Sequence, residues 1–215
     1  RAGQIYANVV KTDFPSRAEA IAKLLAANPP DVAGLQEVSL WETGPISGPL
    51  SPSYDFLELL LAALARRGLT YRPVAVNVNF ASDATPISTT TTTAARLTDR
   101  DVIIARTDLP SSRLKVSNPE SHNFSATLVI PSAIPGAELP GPLRGWSAVD
   151  VKVRGKTVRF VNTHLEAFSV VVRNQQAREL ATALAGSAPP VVLVGDRNSQ
   201  PDDSAGAYGT FAAAG

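Results

Sequence analysis

Three apolar segments of the sequence end in polar or charged residues. Glu37 follows the run VAGLQ, Asn162 and His164 follow VRFV, and Asp196 and Asn198 follow VVLVG. An unpaired carboxylate near a protein core is costly, so each acid needs a cation, a hydrogen-bond donor or a metal. If the three segment ends meet, their carboxylates, amides and imidazole suit a hard divalent cation such as Mg²⁺, which leaves coordination positions for water and phosphate.

Each of these residues also has a purely structural interpretation. A lone glutamate at a strand end is more often an ion pair or a loop anchor, and His164 alone is more often a hydrogen-bonded packing residue. In GDRNS, Asp196 and Asn198 could bond their own backbone in an Asx turn. His122, in the segment NPESHNF, is expected to lie in a loop and to carry no chemistry. The occurrence of all three segments in this order favours a shared site.

The segments that carry these residues are interspersed with predicted helices. In SRAEAIAKLLAANPP, Ser16 and Glu19 have the spacing of a capping box, in which each side chain bonds an amide of the first helical turn. A second helix is expected from Asp55 to about Arg67, because leucines recur along one face. A third is expected from about Val171 to Leu184, and GQIYANVV resembles a loop or a helical lead-in more than a core strand.

The remaining apolar segments are predicted to be strands: DVAGLQEV (31–38), YRPVAVNVNF (71–80), DVIIAR (101–106), FSATLVI (124–130), GWSAVDVKV (145–153), KTVRFVNTH (156–164) and the run that ends at Asp196. Alternation within 71–80 predicts a half-buried strand, and Arg154-Gly155 has the spacing of a tight antiparallel hairpin. The segment ETGPISGPLSPS (42–53) is expected to be a loop, and STTTTTAA (88–95) an exposed loop or edge. Strands mixed with helices favour a mixed α/β sheet system.

Length and composition limit the classes of protein and site. A chain of 215 residues fits one large domain or at most two small ones, and its lack of cysteine excludes thiolate catalysis and cysteine-ligated metals. A formal charge of +1 disfavours a protein that coats polyanions. No apolar run approaches the ~18 residues of a membrane span, so no stable membrane insertion is expected. The chain lacks methionine and begins at Arg1, so we expect a processed form or a fragment; this favours a secreted protein whose signal was removed over a cytoplasmic one. Separately, we expect a monomer rather than an oligomer.

Taken together, DVAGLQEV, VNTHLEA and VVLVGDRNSQP resemble, in this order, segments of the endonuclease/exonuclease/phosphatase superfamily, which has the deoxyribonuclease I-like fold. The resemblance spans residues 16 to about 210. It implies one α/β (α+β) domain over residues 1–215, built as a two-layer mixed or antiparallel β-sandwich flanked by helices. It also implies a metal-dependent hydrolase in which water attacks a phosphoester in line.

The resemblance implies a role for each candidate residue. Glu37 would be the principal ligand of Mg²⁺, with Mn²⁺ or Ca²⁺ as alternatives. His164 would contact the scissile phosphate and stabilise its developing charge, or donate a proton. Asp196 would orient or deprotonate the attacking water. Asn198 would bind a phosphate oxygen, and Asn162 would support the same phosphate site.

The sequence departs from the family pattern at several positions. Arg197 occupies a position that is usually hydrophobic; strand alternation directs it away from Asp196 and Asn198, toward the protein surface or toward Asp202 or Asp203, in preference to the site. Asp101, at the start of the predicted strand 101–106, is a further candidate whose role is open. The family's first-strand asparagine and its last-strand Ser-Asp-His have no evident counterparts, and Asn8 is not expected to replace the former. The domain is therefore expected to be incomplete at both ends and to show weak or no catalysis by itself.

Three functions follow from these patterns. The first is a Mg²⁺-dependent phosphodiesterase, most simply a nuclease-like hydrolase of nucleic acid. The second keeps the chemistry and changes the substrate to a phospholipid, sphingomyelin or inositol phosphate. The third is a catalytically inactive binding module on the same fold. The sequence contains no G-x-S-x-G, H-E-x-x-H or G-x-G-x-x-G motif that would favour another enzyme class.

Overall fold

A computed structural model describes residues 2–88, 92–131 and 138–215. Two β-sheets pack face to face, and helices cover their outer sides, as expected for a two-layer α/β sandwich. The helices are α1 (Ala2–Lys11), α2 (Phe14–Ala27), α3 (Phe56–Ala65), α4 (Val170–Leu184) and α5 (Ala207–Ala213). The strands are β1 (Val32–Leu35), β2 (Leu40–Pro45), β3 (Ser51–Asp55), β4 (Tyr71–Ala81), β5 (Thr85–Pro86), β6 (Thr93–Arg106), β7 (Leu114–Asn123), β8 (Val129–Pro131), β9 (Glu138–Pro140), β10 (Gly145–Val153), β11 (Lys156–His164) and β12 (Val191–Asp196).

The first sheet is organised around the long strand β6. Along one edge of β6 lie β1 and the β2–β3 hairpin, and along the other edge lie β4 and β5, all in antiparallel pairings. The second sheet has the order β12-β11-β10-β7, and its β11–β12 pair is parallel. A parallel pair needs a long crossover, and α4 supplies it between β11 and β12. A separate short hairpin joins β8 to β9.

Three clusters of apolar side chains form the core. One packs α2 and α3 against the outer face of the first sheet. Another fills the space between the two sheets around Ile103 and Val149. The third packs α4 and α5 against the outer face of the second sheet. Both tryptophans, Trp41 and Trp146, are buried. Within the described residues, no helix combines the length and apolarity needed to cross a membrane.

The three predicted helices, α2, α3 and α4, lie where the sequence places them, although one capping arrangement is different, and α5 was not predicted. Asp13, rather than Ser16, precedes the first turn of α2, and Ser16 donates a hydrogen bond to its carboxylate. Glu19 does not close a capping box, because Arg66 and Arg67 at the end of α3 bind its carboxylate. Ion pairs therefore join the first turns of α2 to the end of α3, and the Glu19 side chain does not bond the backbone of its own helix. GQIYANVV forms most of α1, so the helical alternative for this segment is observed.

The predicted hairpin between β10 and β11 is confirmed. The two strands pair from Gly145 opposite His164 to Val153 opposite Lys156. Arg154 and Gly155 both have positive φ angles, as the two central residues of a type I′ turn require. A Cβ added to Gly155 would have no other atom within 4 Å, so the space around this residue does not require glycine. The positive φ angle of Gly155 is the reason that glycine is favoured here.

Several predicted strand boundaries are wrong. The predicted loop 42–53 contains the ends of the β2–β3 hairpin. The predicted strand 124–130 is mostly irregular, and only its end belongs to β8. Residues 114–123 form β7 instead, so His122 lies in a strand, because pairing along β10 outweighs the weak strand propensity of its asparagines, serines and proline. Of the segment 88–95, residues 93–95 belong to β6, and 89–91 lie outside the described residues.

Strand β4 exists as predicted, but its buried half is the polar one. Asn77 and Asn79 face inward and are buried, whereas Val76, Val78 and Phe80 are exposed. A β-bulge between Val78 and Phe80 interrupts the pairing of β4 with β6. The inward asparagines lie between the sheets: Asn79 bonds Asp101 of β6, and Asn77 lies close to Gly145 at the start of β10.

Candidate active site

The end of β1 passes close to the second sheet. A Cβ added to Gly34 would lie 2.4 Å from the Asn162 side-chain oxygen and 2.7 Å from Val194, so glycine permits this approach. Asn162 is fully buried, donates to the Leu35 carbonyl at 3.1 Å and accepts from Gln36 Nε2 at 2.5 Å. Its amide therefore joins β11 to the residue before Glu37. Binding of substrate phosphate by Asn162 stays a prediction, since both ends of its side chain are engaged within the protein.

Glu37 occupies an unusual backbone position at this loop. Its φ angle is 55°, in the left-handed region that few non-glycine residues adopt. Its N–H donates to Asp101 Oδ1 at 3.0 Å. Its side chain is exposed and has no hydrogen-bond or ion-pair partner within the described ranges. The carboxylate is thus held at the surface by a backbone bond to a buried acid and is free to bind a ligand.

The parallel pair β11–β12 brings His164 beside Asp196. The two residues are register partners at the ends of their strands, so their side chains leave the sheet on the same face. Leu165 N–H then donates to the Asp196 carbonyl, which extends the pairing one residue further. Gly195 has a φ angle of 128°, and a Cβ there would lie 1.9 Å from the Thr163 carbonyl oxygen. Only glycine can therefore bring Asp196 to this position.

Asp196 and Asn198 form the Asx turn that the structural interpretation of GDRNS allows. Asp196 Oδ1 accepts from the Asn198 N–H at 2.9 Å, and the Asn198 side chain donates to the Leu165 carbonyl at 2.9 Å. The turn fixes both residues against the loop that follows His164. The second oxygen of Asp196 and the second amide N–H of Asn198 have no partner among the described residues, so each can still bind water or an anion.

A buried polar network connects the two sheets beneath these residues. Asp101, only 1% exposed, accepts from Asn79 Nδ2 at 2.7 Å through its second oxygen. Asn77 Nδ2 in turn donates to the side-chain oxygen of Asn79, Oδ1, at 2.8 Å. The first oxygen of Asp101 lies 3.7 Å from His164 Nδ1, and Arg144 Nη1 lies 3.1 Å from the same ring nitrogen. Glu37 and His164, from different sheets, are thus linked through one carboxylate.

A third acid, Asp99, lies at the same place. Burial raises the pKa of the Asp99 carboxyl, and the neighbouring carboxylates of Asp101 and Glu37 raise it further. A hydrogen bond from Ser39 and the charge of Arg144 lower that pKa and offset part of the effect. The carboxylates of Asp99, Asp101 and Glu37 thus place negative charges close together, and a bound cation would relieve their repulsion.

The donor chemistry of this cluster fits a hard divalent cation that uses few protein ligands. Glu37 and Asp99 supply carboxylate oxygens, and Asp101 is already bonded by Asn79 and the Glu37 N–H. In the described part of the chain, no group of three or more His, Cys, Asp or Glu side chains is placed to hold a metal by itself. Mg²⁺ binds through one or two carboxylates and completes its shell with water and phosphate, which matches this set.

Arg197 lies apart from the other candidates. Its guanidinium stands over the Tyr208 ring, 5.9 Å from the centroid, as in a cation–π contact. It borders a cavity of about 640 Å³ between α4, β12 and α5, whose other lining residues include Leu184 and Phe211. Neither Asp202 nor Asp203 forms an ion pair with it among the described residues. The orientation away from Asp196 agrees with strand alternation.

The structure thus brings Glu37, Asp101, Asn162, His164 and Asp196 to one rim, with Asn198 beside them. Sequence reasoning missed four residues of the same cluster: Asn77, Asn79, Asp99 and Arg144. Two of them could have been found from the sequence, because Asn77 and Asn79 are alternate residues of a predicted strand and therefore share one face. When such a face points into the protein, its two amides indicate a buried hydrogen-bond network. Arg144 and Asp99 carry no local signal, since only tertiary packing brings them to His164.

Comparisons with known proteins support the fold. The sequence matches the sequence model of the family described as the endonuclease/exonuclease/phosphatase family over residues 6–211. No curated protein matches the sequence significantly.

Three solved structures illustrate the structural similarity. A family protein from Bacteroides thetaiotaomicron has a TM-score of 0.58 and 19% identity, covering 96% of this chain and 63% of that one. A mannosyl-6-phosphatase from the same bacterium has a TM-score of 0.53 and 20% identity, with coverage of 96% and 65%. D. rerio TDP2 in complex with a single-strand DNA product has a TM-score of 0.50 and 19% identity, with coverage of 88% and 56%. The chain therefore spans less than two thirds of each of these structures, and the similarity shows a shared fold.

Proposed function

The chain belongs to the endonuclease/exonuclease/phosphatase family, and from this premise we propose that it is a divalent-metal-dependent phosphoester hydrolase. The observation that carries the proposal is the convergence of Glu37 with His164 through Asp101, at distances of 3.0 and 3.7 Å, beside Asp196. Acids, an imidazole and an amide at one rim are the groups that a water attack on phosphorus requires.

Each residue has a distinct task in this proposal. Glu37 and Asp99 hold the cation, which when bound offsets negative charge on the phosphoryl group. Asp196 uses its free carboxylate oxygen to orient the attacking water, while the bond from Asn198 N–H keeps the other oxygen in place. Asn198 directs its second amide N–H toward a phosphate oxygen, and His164 hydrogen-bonds the same group.

Asn162 and Asn79 support the site without contacting the substrate. Asn162 binds the residue before Glu37 and so fixes the position of that acid relative to β11. Asn79 bonds Asp101 and thereby keeps a buried carboxylate satisfied beneath the cation. Both tasks depend on hydrogen bonds rather than on charge.

The test of hydrolysis uses bis(p-nitrophenyl) phosphate with the purified protein, in Mg²⁺ and in EDTA. We expect turnover in Mg²⁺ only, and a loss of about 100-fold or more in kcat for Glu37→Gln and for His164→Ala. Glu58→Gln, an exposed glutamate in the first turn of α3, is the matched control and should retain full activity. Turnover that survives both site substitutions would show that the reaction occurs elsewhere; a folded protein with no turnover under any condition would favour a binding module.

For the substrate, we propose a phosphodiester of single-stranded nucleic acid. D. rerio TDP2, whose structure contains a single-strand DNA product, shares the fold. The net charge of +1 argues for contacts concentrated at the site, without an extended basic surface. Cleavage of a labelled single-stranded oligonucleotide, with p-nitrophenyl phosphate as a monoester comparison, tests this choice: a monoester hydrolysed faster than both diesters would contradict it.

A lipid phosphoester is the second candidate, because apolar side chains are exposed next to His164. Phe168 is 82% exposed, Val171 68% and Val170 56%, in the loop and first turn that follow β11. Apolar groups at such a rim suit a substrate with an acyl chain. If the substrate is a phospholipid, Phe168→Ser will lower hydrolysis of phosphatidylcholine vesicles at least fivefold and leave bis(p-nitrophenyl) phosphate unaffected, whereas Leu24→Ser, at an equally exposed leucine of α2, will change neither.

A further inference from the structure

A buried arginine contacts the ring of His164. Arg144 immediately precedes β10, is only 7% exposed, and its Nη1 lies 3.1 Å from His164 Nδ1. Gly145, the next residue, is the register partner of His164 in β11, so the backbone places the arginine side chain alongside the ring. Arg144 has no ion pair with an acid among the described residues. Its hydrogen bond to the imidazole is therefore a main determinant of its position.

The direction of this hydrogen bond fixes the tautomer of the imidazole. A guanidinium nitrogen can only donate, so Nδ1 must accept through its lone pair. A neutral ring that accepts at Nδ1 carries its hydrogen at Nε2. Nε2 has no hydrogen-bond partner in the described ranges and is not among the buried unbonded atoms, so it remains accessible to a ligand.

The opposite tautomer has a plausible partner, which makes the role of Arg144 specific. Asp101 Oδ1 lies 3.7 Å from the same Nδ1, and an acid that accepts from a histidine N–H is the common arrangement in hydrolytic sites. Here Asp101 is bonded by the Glu37 N–H and by Asn79, and Arg144 lies closer to Nδ1. Nδ1 thus has two charged neighbours among the described residues, the Asp101 carboxylate at 3.7 Å and the Arg144 guanidinium at 3.1 Å, and the guanidinium forms the hydrogen bond. Asp196, the register partner of His164, lies on the same face of the sheet.

We propose that Arg144 is a positioning residue that holds His164 as the neutral Nε2–H tautomer, so that the ring donates a hydrogen bond to the substrate phosphoryl group. This inference rests on the proposed function for the identity of the acceptor. It also decides between two roles for His164. A neutral ring that gave up its Nε2 hydrogen would become an imidazolate, so His164 stabilises charge by hydrogen bonding and does not protonate the leaving group.

The experiment that tests this inference reads the tautomer directly. The sequence contains two histidines, so ¹⁵N-labelled protein carrying His122→Gln has His164 as its single imidazole. Long-range ¹H–¹⁵N correlation spectra, recorded without substrate or metal at a pH where the ring is neutral, distinguish a protonated from an unprotonated ring nitrogen. We expect Nε2 to be protonated and Nδ1 to be bare. A protonated Nδ1 in this protein would overturn the inference, whatever its activity.

Substitution of the arginine separates positioning from packing. Arg144→Met keeps a long apolar side chain but cannot donate a hydrogen bond, so we expect His164 Nδ1 to become protonated and to donate to Asp101. Relative to the parent protein, we expect kcat to be at least tenfold lower and KM to stay within threefold. Arg144→Lys retains a donor and should restore the Nε2–H tautomer and part of kcat. Arg159→Met, which removes a half-buried arginine bonded to Asp150 in the same sheet, is the matched control and should leave the tautomer unchanged.

An Arg144→Met protein with the original tautomer would overturn the inference. If Arg144→Met does not fold, Arg144→Lys and the original arginine still report the tautomer. If the tautomers follow the expectation but no variant or parent hydrolyses a phosphoester, the proposed function fails and the role of Arg144 in fixing the ring stands.

Discussion

The bond between Gln36 and Asn162 offers a sharp test of how the site is assembled. Asn162→Ala removes two hydrogen bonds, to Leu35 and Gln36, from a fully buried position. Each such bond contributes about 0.5–1.5 kcal/mol net, and a polar group left without a partner costs about 1 kcal/mol or more. We therefore expect the free energy of unfolding to fall by about 2–4 kcal/mol. The measurement is urea denaturation, with an unchanged m-value as evidence that the folded state is otherwise intact.

A double-mutant cycle isolates the part of this loss that belongs to the pair. With Gln36→Ala as the second substitution, the coupling free energy should be about 1 kcal/mol, the value of one neutral hydrogen bond. Gln176→Ala is the matched control. Gln176 is also buried and also bonded at both ends, to the Glu166 N–H and the Ala126 carbonyl, so its loss should be of similar size but additive with Gln36→Ala. A coupling between Gln36 and Asn162 that lies within the scatter of additivity, about 0.5 kcal/mol, would refute the bond.

The cycle also separates stability from positioning. Gln36 directly precedes Glu37, so loss of the pair should displace the proposed cation ligand as well as weaken the fold. We expect kcat on bis(p-nitrophenyl) phosphate to fall about tenfold or more in Asn162→Ala, because small displacements of a catalytic group carry large costs in rate. Gln176→Ala, equally destabilised, should retain kcat within about threefold of the parent at a temperature where both are folded.

Three further outcomes follow from particular residues. Gly195→Ala places a Cβ against the Thr163 carbonyl at a φ of 128°, and we expect unfolding at a temperature lower by roughly 6 °C or more, measured by circular dichroism; an unchanged midpoint would contradict the geometry. The raised pKa of Asp99 means that the folded state holds its proton more tightly than the unfolded state, so the native carboxyl contributes stability at low pH that is lost as pH rises through the folded pKa. Asp99→Asn should therefore be more stable than the parent at pH 8 in EDTA, and this advantage should shrink toward pH 4; an advantage that grows on acidification would reverse the sign of the assignment. Arg197→Phe should change kcat less than twofold, since the guanidinium points away from Asp196 and toward Tyr208; a tenfold rise in kcat would show that the arginine inhibits the site.

Local sequence patterns predict three of the five helices described and the strands that end at the site. The stripes of α2, α3 and α4 repeat at helical spacing, and the pair Arg154-Gly155 sets a hairpin that needs only adjacent strands. The ends of β1, β11 and β12 are identified because each changes abruptly from apolar to polar residues. These signals are contained in a few consecutive residues, so the rest of the fold does not need to be known.

Signals that depend on pairing partners are not available in the sequence. Strand β7 contains a proline, two serines and two asparagines and forms because β10 pairs with it. In the sequence, Arg144 is indistinguishable from any other basic residue in a loop. Its contact with His164 follows only from the pairing of Gly145 with His164 in the β10–β11 hairpin. Asp99 and Asp101 flank Arg100 on a strand. Only tertiary contacts show that Asp101 binds the Glu37 N–H and Asn79, that Asp99 lies near the same carboxylates, and that Arg100 binds Asp55.

The orientation of β4, with its asparagines buried and its valines exposed, is explained by the buried carboxylate of Asp101. Turning this strand over would bury Val76 and Val78 and gain roughly 1.5–3 kcal/mol for each side chain that is fully buried. It would also withdraw Asn79 from Asp101, which is 1% exposed and has its second oxygen bonded only by that amide among the described residues. Removing one partner of a buried charge costs about 3–5 kcal/mol, and the exposed amides would leave no polar group in their place between the sheets. The gain from the two valines, roughly 3–6 kcal/mol together, and the cost at this one carboxylate are of similar size. The bulge between Val78 and Phe80 interrupts the pairing with β6 at the same point. The buried Asp101 beside His164 therefore accounts for the outward orientation of Val76 and Val78, whose apolar side chains are exposed on the outer face of the sheet.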